Sequence, residues 1–142
     1  MVSLYGPAAA LIGSPAAVHA VEAFVAHHRA HARALAELGG TSALSAAPAK
    51  VVAALAPTDP MTSERDALAF LHTLESRLAA TQQFVLGAIE TVPAISLLAA
   101  TIPVECQHAT VLGSLLSLPM GDVVPVAQGT AGHLDPEDYA PA

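Results

Sequence analysis

At 142 residues the chain has room for one domain with a sizeable core and none for a second. Hydrophobic residues make up 54% of it, charged residues 12%, and the mean hydropathy is +0.55, a balance that calls for apolar surface to be covered by a partner as well as by the core. A net charge of −7, with five Lys and Arg scattered along the chain, excludes a phosphate-binding surface for nucleic acid, and the single Cys106 excludes an intrachain disulfide or a thiolate zinc cluster.

The first residues, "MVSLYGPAAALIGS", carry no Lys or Arg ahead of their apolar stretch, so they lack the charged start of a secretory signal and are read as an irregular segment over 1–14. Ser14-Pro15 has the form of an N-cap followed by proline at the first helical position, and Gly39-Gly40 supplies a stop, which predicts a helix from Pro15 to Leu38. Its apolar stripe is Val21, Phe24, Val25, Ala32, Leu35 and Leu38, with His28 and His31 inside it. A short helix is expected from Pro48 to Leu55, ended by "APTDPMTS". Thr62 or Ser63 then caps a long helix running to about Ile89, with Glu64 and Asp66 at the positive end of its dipole. Leu68, Leu71, Leu74, Leu78, Val85 and Leu86 form its core stripe, and His72, Glu75 and Gln82 lie on or beside that stripe. Thr91-Val92-Pro93 opens a last long helix to about Ser117, and Pro103 inside it predicts a kink. Glu90, Pro93 and Pro103 interrupt the most apolar window, Val85 to Val104, which argues against a transmembrane span. Residues 119–142 lack periodicity and read as a Pro-rich acidic tail lying over the rest. The fold class is therefore all-α: three long antiparallel helices over 15–118, a short connecting helix, and an extended C-terminal tail.

Polar groups fall where core is expected. In "VECQHATVLGSLL", Glu105 and His108 are three apart and so share one helix face. A buried carboxylate needs a cation, a donor or a proton, and a metal ion is one way to satisfy it. Glu75 sits in the stripe of the preceding helix, and His31 followed by Ala32 and Leu35 parallels His108 followed by Ala109 and Leu112. The same residues also admit a reading without metal, in which Glu105, His108 and His31 bond to one another and Glu75 pairs with Arg29 or Arg33. His27 and His72 read as flanking residues, and Cys106 as a small core side chain.

Three segments, "AHHRAHARAL", "ALAFLHTLESRLAATQQF" and "AATIPVECQHATVLGSLL", together resemble the ferritin-like domain proteins of bacteria, many of them actinobacterial and exported. The resemblance spans roughly residues 18 to 118. It implies a ferritin-like antiparallel bundle in which Glu75 is the lone third-helix carboxylate, Glu105 and His108 the fourth-helix pair, and His31 the histidine of the second-helix pair. His28 stands where that pair has its Glu, Gln82 where relatives often have Tyr, and a full first helix with its Glu is missing. The implied metal set is Glu75, Glu105, His108, His31 and His28, for iron, manganese or zinc, or for no ion in a degenerate member. That degenerate member serves as an interaction or structural subunit. Without a first helix it exposes an apolar groove lined by Val21, Phe24, Leu71, Leu78 and Leu112, to be covered by a second copy or another protein. An extracytoplasmic location follows from the exported relatives alone.

Overall fold

The structure is a computed structural model that describes residues 2–40, 48–123, 131–135 and 138. Six helices follow in order: α1 (Val2–Ala9), α2 (Pro15–Leu38), α3 (Ala49–Leu55), α4 (Glu64–Leu86), α5 (Val92–Leu115) and α6 (Met120–Val123). Among the described residues there is no strand. The three long helices start where the cap residues predict, and α2 also stops at Leu38 as predicted, whereas α4 and α5 stop at Leu86 and Leu115, short of Ile89 and Ser117. Ser63 and Asp66 form a reciprocal capping box at the start of α4. Ser14 and Thr91 are extended residues ahead of proline-opened helices. Gly40, at φ +65°, turns the chain out of α2 in a conformation that favours glycine.

Side-chain pairs fix the directions. Tyr5 reaches Glu75 while Ser14 reaches Glu64, so α1 runs antiparallel to α4. Phe24 stacks on His108 while His31 meets Glu105, so α2 and α5 are antiparallel. His108 meets Glu75 while Thr101 meets Gln82, so α4 and α5 are antiparallel as well. The result is two hairpins, α1–α2 and α4–α5, joined by the one long crossover that contains α3. The α4–α5 contact is the most extensive in the molecule.

Two sequence expectations are corrected by α1. The segment 1–14, expected to be irregular, begins with a helix, and the bundle has a first helix in shortened form. Leu4, Tyr5, Ala8 and Ile12 are buried at helical spacing, and Gly6-Pro7 does not break the turn. Consequently the expected open groove is closed: Val21, Phe24, Leu71 and Leu112 are buried together with the α1 side chains, and only Leu78 keeps partial exposure. A carboxylate clamp holds the joint between the hairpin arms. Glu64 accepts hydrogen bonds from the backbone N–H of Gly13 (3.0 Å) and Ser14 (3.1 Å) and from the Ser14 hydroxyl.

The stripe of α2 ends earlier than its periodicity indicates. Ala17, Val21, Phe24 and His28 are buried, whereas Val25 is half-buried, Ala32 is exposed, and Leu35 and Leu38 are 40% and 42% exposed. An eight-residue α1 is about 12 Å long and its 24-residue partner about 36 Å, so α1 reaches along only part of α2.

Helix α5 runs through Pro103 to Leu115 and buries Leu98, Thr101, Glu105, His108, Ala109, Leu112 and Gly113. By length and composition it is the one helix among the described residues apolar enough to cross a membrane, although its inward face carries Glu105 and His108. At Gly113 a Cβ would lie 3.1 Å from Val123 Cα and 3.2 Å from His72 Nε2, so α6 and His72 approach closely there and a larger residue would need them to give way by a few tenths of an ångström. Of the tail expected to be extended over 119–142, Met120–Val123 instead form the short helix α6 against α5, and residues 132–134 are tied to α4. Arg77 donates to Gly132 O (3.1 Å) and to Ala54 O of α3 (2.9 Å), the Leu134 N–H donates to Thr81 Oγ1 (3.0 Å), and His133 stacks on Phe84. The remainder of the tail lies outside the described residues.

Candidate metal centre

Each ionisable side chain of the site is brought inward by the periodicity of its own helix. His28 follows Val21 and Phe24 on the buried face of α2, Glu75 follows Leu71 and Leu74 on α4, and Glu105 and His108 lie between Thr101 and Leu112 on α5. All four are buried, and one ligand-type atom of each lies within 4.8 Å of the others. Phe24 stacks on the His108 ring at 4.0 Å and keeps apolar carbon against it.

Each carboxylate uses its two oxygens differently. Glu75 Oε1 accepts from the Tyr5 hydroxyl and lies 2.9 Å from His28 Nε2, while its Oε2 lies 3.1 Å from His108 Nδ1. Glu105 Oε1 is held by His31 Nδ1 at 2.9 Å and by Gln82 Nε2 at 3.4 Å, and Gln82 is in turn fixed by Thr101 at 2.8 Å. Glu105 Oε2 lies 3.3 Å from His108 Nδ1 and 3.7 Å from His28 Nδ1. It has no aligned hydrogen-bond donor, a costly condition for a buried oxygen.

The imidazoles divide in the same way. His28 turns Nε2 to Glu75 and Nδ1 towards Glu105 Oε2, and His108 turns Nδ1 to the two carboxylates and Nε2 to His27 Nδ1 at 2.9 Å. A metal-ligating histidine characteristically has its second nitrogen held by an outer partner. His108 meets that condition through His27, while His28 has its Nε2 on Glu75, itself one of the four donors, and the Nδ1 atoms of both face the orphaned Glu105 oxygen. The donor set therefore fits a metal ion.

Electrostatics agree with the geometry. Burial pushes the pKa of His108 down, but the facing carboxylates of Glu105 and Glu75 outweigh it and lift the group to about 9. Burial pushes Glu75 up, yet the hydrogen bonds from His108 and His28, with the charge of His28, hold it well below the usual carboxylate range. Burial, followed by the charge of Glu75, raises Tyr5 far above an ordinary phenol, so it remains an O–H donor. Burial and then the neighbouring His108, His31 and His28 lower His27, which is a neutral imidazole at pH 7. Burial and Glu105 push the Cys106 thiol up, away from thiolate chemistry.

Of the five residues predicted from the sequence, Glu75, Glu105, His108 and His28 converge. His31 stands one step outside, partly exposed, with its Nδ1 on the outward oxygen of Glu105. The alternative pairing of Glu75 with Arg29 or Arg33 does not occur, because both arginines lie on the exposed face of α2. Sequence reasoning missed Tyr5, whose only signal was the helical spacing of Leu4, Tyr5, Ala8 and Ile12. It also set His27 aside, although His27 and His31 are four apart on one helix.

Against known proteins, the family model for the ferritin-like domain matches residues 6–118, most of the chain. No curated protein and no solved structure matches.

Proposed function

The chain belongs to the ferritin-like domain family, and on that premise we propose that it is a metal-binding helical domain whose single ion is held by His28, Glu75, Glu105 and His108. The observation that carries this reading is the buried convergence of four donors, with two imidazole nitrogens 3.3 and 3.7 Å from a Glu105 oxygen that has no aligned hydrogen-bond donor among the described residues. When the imidazoles ligate as neutral donors, the two carboxylates leave a formal charge of −2, which a divalent cation cancels in place of the proton that His108 carries without it.

Among the described residues the group has two carboxylates, and α1 brings Tyr5 in place of a first-helix carboxylate. That set suits one iron(II), manganese(II) or zinc ion rather than a carboxylate-bridged pair. When bound, iron or manganese supplies one-electron redox chemistry and zinc supplies Lewis acidity. The chain's own residues bind and orient: Tyr5 and His28 fix Glu75, His31 and Gln82 fix Glu105, His27 fixes His108, and Phe24 and Leu112 keep bulk water from the group.

The test is the metal content of natively purified protein beside a Glu105→Ala, His108→Ala variant, followed by reconstitution with iron(II), manganese(II) and zinc. Near-stoichiometric metal in the wild type, absent from the variant, is the expected result. A folded wild type that takes up none of the three ions sinks the reading. An interaction role rests on other residues. Leu35 and Leu38 of α2 and Val92 and Ile95 of α5 are exposed at the same end of the antiparallel pair, and a partner seated there is compatible with ion binding.

A further inference from the structure

His27 and His31 are four apart on α2, the spacing that places two imidazoles on one helix face and that recurs in helical zinc sites. Neither belongs to the buried group, yet each is tied to it by one ring nitrogen. His31 Nδ1 lies 2.9 Å from Glu105 Oε1, and His27 Nδ1 lies 2.9 Å from His108 Nε2. A carboxylate only accepts, so His31 Nδ1 carries the hydrogen and its Nε2 keeps a lone pair. His27 is exposed and the His31 side chain is 20% exposed, so these are the two imidazoles standing between the buried group and solvent.

We propose that the Nε2 atoms of His27 and His31 form a second, solvent-facing position for a borderline divalent ion such as zinc or copper(II), with water completing the coordination. Imidazole pairs select these ions over magnesium or calcium. Two of the usual costs are already met: the rings are fixed from behind, and the carboxylate–histidine arrangement of Glu105 and His31 raises the basicity of the outer nitrogen. The protons balance. With the buried group empty, an ion on His27 Nε2 leaves Nδ1 as the N–H that donates to His108 Nε2, His108 keeps its own N–H on Nδ1 towards Glu75, and the His27–His108 pair gives up its extra proton to solvent; an ion on His108 Nδ1 moves that hydrogen to Nε2 and so disfavours the outer ion at His27.

Zinc binding is measured by equilibrium dialysis on the whole chain. A Glu75→Gln background weakens the buried group without emptying its volume, so a larger share of the remaining zinc binding comes from the outer position. Adding His27→Asn and His31→Asn, which keep a polar atom near the Nδ1 position and remove Nε2, should weaken the remaining zinc binding by at least about tenfold. Equal binding in the Glu75→Gln protein and the triple variant overturns the proposal. If the buried group binds nothing, the wild type and the Glu75→Gln protein bind zinc alike and only the His27/His31 changes weaken it, so the two readings fail separately. Should the variants not fold, substoichiometric copper(II) added to wild-type protein should broaden the ring resonances of His27 and His31 before those of His19 and His133. Broadening that begins at His19 or His133 overturns the proposal.

Discussion

His108 carries a proton in the metal-free protein because Glu105 and Glu75 face its Nδ1 and lift its pKa to about 9. Its contribution to stability is complete below the unfolded value of 6.5 and is lost as pH rises through 9. Glu75 works in the opposite sense. Its folded pKa is depressed, so its contribution is present above the unfolded value of 4.5 and is lost as pH falls. The joint contribution of these two groups is therefore fully present between pH 4.5 and 6.5, and the metal-free protein should lose on the order of 2 kcal/mol between pH 6 and pH 10 through His108. Urea unfolding of chelator-treated protein across that range checks this. An unchanged or higher midpoint at pH 10 contradicts the ionisation assigned to His108. Glu105 and His108 were legible as a pair because spacing alone puts residues three apart on one face. Which nitrogen of His108 faces inward was not legible, because it depends on His27, eighty-one positions away in the chain.

At the level of elements, α1 is the helix whose presence the sequence hid and on which the site depends. Eight residues do not sustain a helix alone in water. It is held by the buried faces of Leu4, Tyr5 and Ala8, by the Glu64 clamp behind it, and by the bond from the Tyr5 hydroxyl to Glu75. Tyr5→Phe keeps the ring in place and removes that donor, leaving Glu75 Oε1 with His28 as its remaining partner. The change should cost about 1–3 kcal/mol in metal-free protein, read as a lower urea midpoint with an unchanged far-ultraviolet spectrum. No loss of stability would mean that the hydroxyl does not hold α1 on Glu75. The long helices were legible because each carries its own signals: Ser14-Pro15 and Gly39-Gly40 around α2, the Ser63–Asp66 box before α4, Thr91 and Pro93 before α5. Within α1 the Gly6-Pro7 pair is the usual mark of a turn.

For the whole molecule, an ion that binds the folded chain and not the unfolded one adds stability by mass action, about 2.7 kcal/mol at a free ion concentration one hundred times Kd. Removing the metal should therefore lower Tm by roughly 8 °C for a domain of this size. The Glu105→Ala, His108→Ala variant should show no response to chelator, and a wild type equally indifferent would count against the buried site. What the sequence by itself determined was the three long helices, the short helix before α4, and the inward face of each long helix over the part that is covered. A helix period is a local property, carried by neighbours three and four residues apart. Only the tertiary structure decided that His28 joins Glu75, Glu105 and His108 while His31 and His27 stand outside as their supports, and that Tyr5 caps the group from α1. That choice depends on where three packed helices cross and how far α1 reaches along α2, and these follow from contacts between residues dozens of positions apart, which no local pattern encodes.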